Sequence, residues 1–91
     1  MKEAFTVYLI EQGYKQFTDT GKNSTVYDYV KRIEKVMMWE NYDSWNDVVD
    51  NIEHLCTLYG PGGAKEEYGK KSHNAVICAL LRFKEFCRSL F

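Results

Sequence analysis

The chain has 91 residues, with 12 Lys and Arg against 13 Asp and Glu, and 15% of its residues are aromatic. This length allows one domain, and such an aromatic content with a net charge of −1 excludes a disordered chain. No apolar run approaches the roughly 20 residues of a membrane span, and the N-terminal residues lack the apolar core of a signal peptide. We therefore expect a cytoplasmic protein without membrane contact.

The first predicted helix covers about residues 2–12. Phe5, Tyr8 and Leu9 share one face of this helix, and Gly13 is placed to end it. Residues 13–24 are expected to form a connection.

The second and third helices are predicted at about residues 25–40 and 45–59, where apolar residues recur with the helical period. Thr25 followed by Asp28 matches a capping box, and so does Ser44 followed by Asp47. Gly60 and Pro61 end the third helix.

The last helix is predicted at about residues 73–89, with Ser72 as its N-cap. Residues 60–71 contain four of the six glycines, which predicts a flexible loop.

We expect an all-α fold in a single domain, a four-helix bundle with two long connections. The residues predicted to be buried together are Ile33, Trp45, Ile52, Leu80 and Phe83.

The sequence offers no arrangement typical of an enzyme, a metal site or a cofactor site. The three cysteines, Cys56, Cys78 and Cys87, contain no CxxC pair, and we expect them to be reduced. His73 and Cys78 project about 140° apart on a helix, too far for direct pairing. The cysteines and histidines also lack the short paired spacing of a structural zinc site. We therefore expect neither catalysis nor a bound cofactor.

Charge is unevenly distributed along the chain. Residues 40–64 contain five acidic residues and no Lys or Arg, whereas residues 65–91 carry a net charge of +3. Tyr27, Lys31 and Lys35 recur every fourth residue and predict a basic ridge on the second helix. Such a ridge can contact phosphates. The alternative is a solvated helix face whose lysines pair with Asp28 and Glu34.

Three segments, 5–13, 24–36 and 72–87, together carry a family resemblance. They are FTVYLIEQG, STVYDYVKRIEKV and SHNAVICALLRFKEFC. In this order they resemble the N-terminal core-binding domain of tyrosine recombinases and phage integrases, a SAM-like helical bundle. The resemblance implies a DNA-binding clamp whose second and last helices face the duplex. The catalytic residues of that family belong to a second domain without a counterpart in these 91 residues.

Two functional hypotheses follow. The first is a non-catalytic module that binds double-stranded DNA, weakly when alone and mainly through phosphates. Its expected contacts lie near the second helix and at a phosphate site where the last helix begins: Lys22, Asn23, Thr25, Tyr27, Lys31, Lys35, Lys70, Lys71, Ser72, His73 and Asn74.

The second hypothesis is a small accessory or inhibitor module that binds a protein partner or another copy of itself. It would use the acidic third helix or an apolar face of the last helix that lies outside its main stripe. The residues expected to contribute are Asp47, Asp50, Glu53, Ile77 and Leu81.

Overall fold

The computed structural model describes residues 1–90 and contains five α-helices within that range. These are α1 (Lys2–Glu11), α2 (Thr25–Glu40), α3 (Trp45–Tyr59), α4 (Glu66–Gly69) and α5 (Lys71–Leu90). No strand occurs in residues 1–90, where the only β-type pairing recorded is an isolated bridge between Phe17 and Asn23. The all-α prediction is confirmed. The predicted number of helices is wrong, because α4 forms within residues 60–71, where the sequence predicts a loop.

The α3 start confirms the Asp47 part of its predicted capping box. The Asp47 carboxylate accepts hydrogen bonds from the backbone N–H groups of Ser44 at 3.3 Å and Asp43 at 3.1 Å. At α2 the predicted capping box is wrong, because Ser24 occupies the N-cap position and Thr25 is already helical. That shift places Tyr27 rather than Asp28 at the third helical position, so no carboxylate can complete the box there.

The long helix α5 forms the centre of the bundle. It packs against α2 on one side and α3 on the other, and α1 covers α2 and part of α5. Four of the five residues predicted for the core are buried, namely Ile33, Ile52, Leu80 and Phe83. Trp45 is only partly buried, because it begins α3 at the edge of the core, although its ring lies 5.7 Å from that of Phe83.

Residues 60–71 are predicted as a flexible loop, but part of this segment is helical, because α4 occupies Glu66–Gly69. The Lys65 N–H donates to the Leu58 carbonyl at 2.9 Å, and α4 contacts both α3 and α5. A Cβ atom on Gly63 would lie 2.1 Å from the Thr57 carbonyl oxygen. Glycine at this position therefore allows the backbone of residues 60–71 to approach the carbonyl groups at the end of α3.

The beginning of α5 differs from the prediction. Ser72, His73 and Asn74 have left-handed backbone angles, with φ of 56°, 58° and 67°. An N-cap residue normally has an extended backbone, so Ser72 is not the N-cap that its sequence position predicts. Regular right-handed helix begins only after Asn74.

Candidate nucleic-acid interface

The basic ridge on α2 is exposed and its lysines are without acidic partners in the described chain. Lys31 and Lys35 are both exposed, and the Lys31 ammonium lies 5.9 Å from the centre of the Tyr27 ring. Glu34, which was considered as their partner, instead pairs with Lys2 of α1 at 3.2 Å. No ion pair joins Lys31 or Lys35 to Asp28 within residues 1–90. No ion pair within residues 1–90 therefore balances the charge of the two ridge lysines.

A short hydrogen-bonded turn holds Lys22 and Asn23 in front of α2. The Thr18 N–H donates to the Lys22 carbonyl at 2.7 Å, and the Lys22 N–H donates to the Thr18 hydroxyl at 3.1 Å. The Ser24 N–H then bonds to the Gln16 carbonyl at 3.1 Å. These bonds attach the connection to the start of α2, next to Thr25.

The second predicted group of DNA contacts lies at the other end of α2. Lys70 pairs with Glu66 at 3.5 Å, and the Lys71 ammonium lies 5.4 Å from the centre of the Tyr68 ring. That ring in turn packs 5.1 Å from Trp39, which is near the end of α2. Roughly 20 Å of helix therefore separates Thr25 from this group.

The phosphate site predicted at the beginning of the last helix does not form as expected. It required Ser72 as the cap of a helix N-terminus, and Ser72 instead has a left-handed backbone. The Asn74 N–H donates to the Lys70 carbonyl at 2.9 Å. Ser72, His73 and Asn74 remain exposed, but they do not form the capped helix start that the prediction assumed.

Most of the surface predicted for a protein partner already has contacts within the chain. Asp47 caps α3, and Glu53 pairs with Lys84 at 3.1 Å and with Arg88 at 3.5 Å. Ile77 is partly buried against the core. The two remaining residues, Asp50 and Leu81, are exposed, and Leu81 is 39% exposed.

An aromatic cluster that sequence reasoning missed joins the ends of α2, α3 and α4. The Trp39 and Tyr59 rings stack with centres 6.1 Å apart, and Tyr68 packs against Trp39 from α4. A cavity of about 140 Å³ lies between these rings and Lys65. Trp39 lies outside the main apolar stripe of α2. A large aromatic residue in such a position was the sequence signal that another element packs against this part of α2.

Glu40 forms hydrogen bonds with Tyr59 of this cluster and with Lys65 beside it. Its carboxylate accepts a hydrogen bond from the Tyr59 hydroxyl at 2.7 Å and another from the Lys65 ammonium. Burial alone would raise the pKa of the Glu40 carboxyl, but the bonds from Lys65 and Tyr59 outweigh burial and hold that pKa below its ordinary value. Burial and the Glu40 hydrogen bond raise the pKa of the Tyr59 hydroxyl.

Replacing Glu40 should therefore change both stability and its acid dependence. Glu40→Gln should lower the free energy of unfolding at neutral pH by about 1–3 kcal/mol, because bonds to a charged acceptor are lost. A lowered pKa stabilises the fold above the unfolded-state pKa, and this stabilisation disappears as the pH falls through the folded-state value. Urea unfolding at a series of pH values from 7 to 3 measures this effect. As the pH falls below the ordinary glutamate pKa, Glu40→Gln should lose less stability than the wild type.

Glu67→Gln is the matched control for this prediction, because Glu67 is exposed and forms no ion pair within residues 1–90. It should leave stability at neutral pH within about 0.5 kcal/mol of the wild type. Equal effects of the two substitutions would show that the Glu40 contacts do not stabilise the fold.

Sequence reasoning also missed a groove near the start of α2. It has a volume of about 160 Å³ and lies between α1, the connection and α2, with Gln16, Phe17, Asn23 and Tyr27 among its lining residues. Of these, Asn23 and Tyr27 were predicted as DNA contacts. Phe17 was not, although an aromatic residue within a polar connection is a detectable signal.

No group of three or more His, Cys, Asp or Glu side chains placed to hold a metal ion occurs in residues 1–90. No helix in this range contains a stretch that is long and apolar enough to cross a membrane. Comparisons with protein-family models, curated protein sequences and solved structures give no match. The resemblance to integrase core-binding domains therefore remains a prediction.

Proposed function

We propose that this chain is a non-catalytic DNA-binding module that contacts duplex phosphates through the basic ridge of α2 and the turn before it. The observation that carries this proposal is the location of the unpaired cations. Lys31 and Lys35 extend from an exposed helix face, and Lys22 lies just ahead of it. Free cations on one face favour contact with a polyanion, because binding releases the condensed counterions of DNA.

Ion pairing divides the basic residues of the molecule into two sets. Six form ion pairs with acidic side chains: Lys2, Lys65, Lys70, Arg82, Lys84 and Arg88. The six without an ion pair in residues 1–90 are Lys15, Lys22, Lys31, Arg32, Lys35 and Lys71. Five of this second set lie between residues 15 and 35, in the connection and on α2. The unpaired positive charge is thus concentrated near one helix.

The spacing along the ridge suits a DNA strand. Lys31 and Lys35 are separated by about 6 Å along the helix axis. Successive phosphates of one DNA strand lie about 3.4 Å apart along the duplex axis, so two long lysine side chains can reach neighbouring phosphates. Such contacts position a protein without reading the base sequence. The resemblance to integrase core-binding domains also implies a DNA-facing second helix.

The alternative, a protein-interaction module, has less support because Asp47 and Glu53 have partners within the chain. Glu53 is exposed as well as paired, and Asp50 and Leu81 are the exposed residues of this set that have no such partner in residues 1–90.

Paired and unpaired lysines provide a direct test. Lys31→Ala/Lys35→Ala should weaken binding to a blunt DNA duplex by about tenfold at low salt, because two phosphate contacts are lost. Lys70→Ala/Lys84→Ala is the matched control, since it changes the net charge equally but removes lysines that pair with Glu66 and Glu53. It should weaken binding much less. Fluorescence anisotropy measures both affinities, and equal losses would contradict a localised interface on α2.

A further inference from the structure

The groove beside the start of α2 presents two aromatic side chains to solvent. Phe17 is 53% exposed and Tyr27 is 43% exposed, and both line this groove of about 160 Å³. The phenylalanines of the core are arranged differently, since Phe5, Phe83 and Phe86 are buried. An exposed pair of rings in one groove can stack a planar ligand.

The backbone holds Phe17 in this position. Phe17 forms the isolated bridge with Asn23, and its neighbours Gln16 and Thr18 are hydrogen-bonded to Ser24 and Lys22. The Val26 N–H also donates to the Lys15 carbonyl at 3.1 Å, which fastens the connection to the first turn of α2. The ring is therefore exposed on a segment whose backbone is attached on both sides.

The polar residues around the rings define the chemistry of the ligand. Gln16 and Asn23 line the groove, and each side-chain amide offers donors and an acceptor. The Lys31 ammonium lies over the Tyr27 ring at 5.9 Å, and Lys22 is adjacent to Asn23 in the chain. Rings, amides and unpaired cations match the three parts of a nucleotide, namely the base face, the base edge and the phosphate.

We propose that this groove binds an unpaired nucleobase, so that the domain prefers a duplex with a single-stranded overhang to a blunt duplex. The inference rests on the proposed function, because the phosphates of the adjoining duplex are held by the ridge of α2. A base within a duplex cannot use the groove, since its faces are covered by neighbouring base pairs. A base in a single strand can leave its neighbours and stack on a side chain.

The test compares three DNA probes: a blunt duplex, the same duplex with an oligothymidine overhang, and the same overhang built from abasic nucleotides. Wild-type protein should bind the oligothymidine overhang about tenfold more tightly than the blunt duplex, which is within the effect of stacking one base. The abasic overhang should lose this preference, although it has the same phosphates. Fluorescence anisotropy at constant salt gives all three affinities.

Phe17→Leu keeps an apolar side chain and removes the ring. It should lower the preference for the thymidine overhang to about twofold or less while leaving affinity for the blunt duplex unchanged. Tyr68→Leu is the control, because Tyr68 is also an exposed aromatic residue, at 44%, but lies near the other end of α2. It should keep the preference. Circular dichroism confirms that both variants retain their helices.

The outcomes separate the inference from the proposed function. Salt-dependent binding of blunt and overhang duplexes with equal affinity would overturn the base-binding groove and leave the phosphate interface intact. A preference that survives in Phe17→Leu or with the abasic overhang would also overturn the groove. Failure to bind any of the probes at low salt would refute both proposals.

Discussion

Phe83→Ala should lower the free energy of unfolding by about 3–5 kcal/mol. Phe83 is fully buried in α5, and its ring centre lies 5.0 Å from that of Phe5 and 5.7 Å from that of Trp45. Truncation would therefore leave a cavity where α1, α3 and α5 meet, and would remove aromatic contacts as well as apolar burial. Urea unfolding followed by far-ultraviolet circular dichroism measures the loss.

Leu81→Ala provides the control within the same helix. Leu81 is 39% exposed, so its truncation should cost less than about 1 kcal/mol. If Phe83→Ala also costs less than about 1 kcal/mol, α5 is not the centre of the core and the described packing is wrong.

Gly69→Ala should destabilise the protein by about 3 kcal/mol or more, through a backbone clash. A Cβ atom at this buried position would lie 1.9 Å from the Tyr59 carbonyl oxygen, so α4 or the end of α3 must move. The displacement would also disturb the contact of Tyr68 with Trp39. Chemical denaturation measures the loss of stability.

Gly13→Ala separates this clash from the general effect of losing a glycine. An added Cβ at Gly13 has no neighbour within 4 Å, but φ is +94°. The cost of placing alanine in this backbone conformation should be about 1–2 kcal/mol. A smaller loss in Gly69→Ala than in Gly13→Ala would show that α4 does not pack closely against α3.

The long helices were predictable because their signals are local. Val26, Val30, Ile33 and Val36 of α2 recur with the helical period and are all buried. The basic ridge was predictable for the same reason, since Lys31 and Lys35 must share a helix face whatever surrounds them. The Asp47 cap also depends on neighbours only three or four residues away.

Features that depend on distant residues could not be predicted. The glycines of residues 60–71 suggest mobility in isolation, but Gly63 and Gly69 are required by the carbonyl groups at the end of α3. Glu53 looks like a free surface acid until α5 brings Lys84 and Arg88 next to it. The groove at Phe17 likewise exists only after α1, the connection and α2 have packed together.

The central claim, a phosphate-binding interface on α2, is tested most directly by the salt dependence of binding to a blunt duplex. If Lys22, Lys31 and Lys35 each contact a phosphate, a plot of log K against log salt concentration should have a slope of about −3. In Lys31→Ala/Lys35→Ala the slope should change to about −1. A wild type that shows no salt-dependent binding at low ionic strength, or a slope that stays the same in this variant, would contradict the claim.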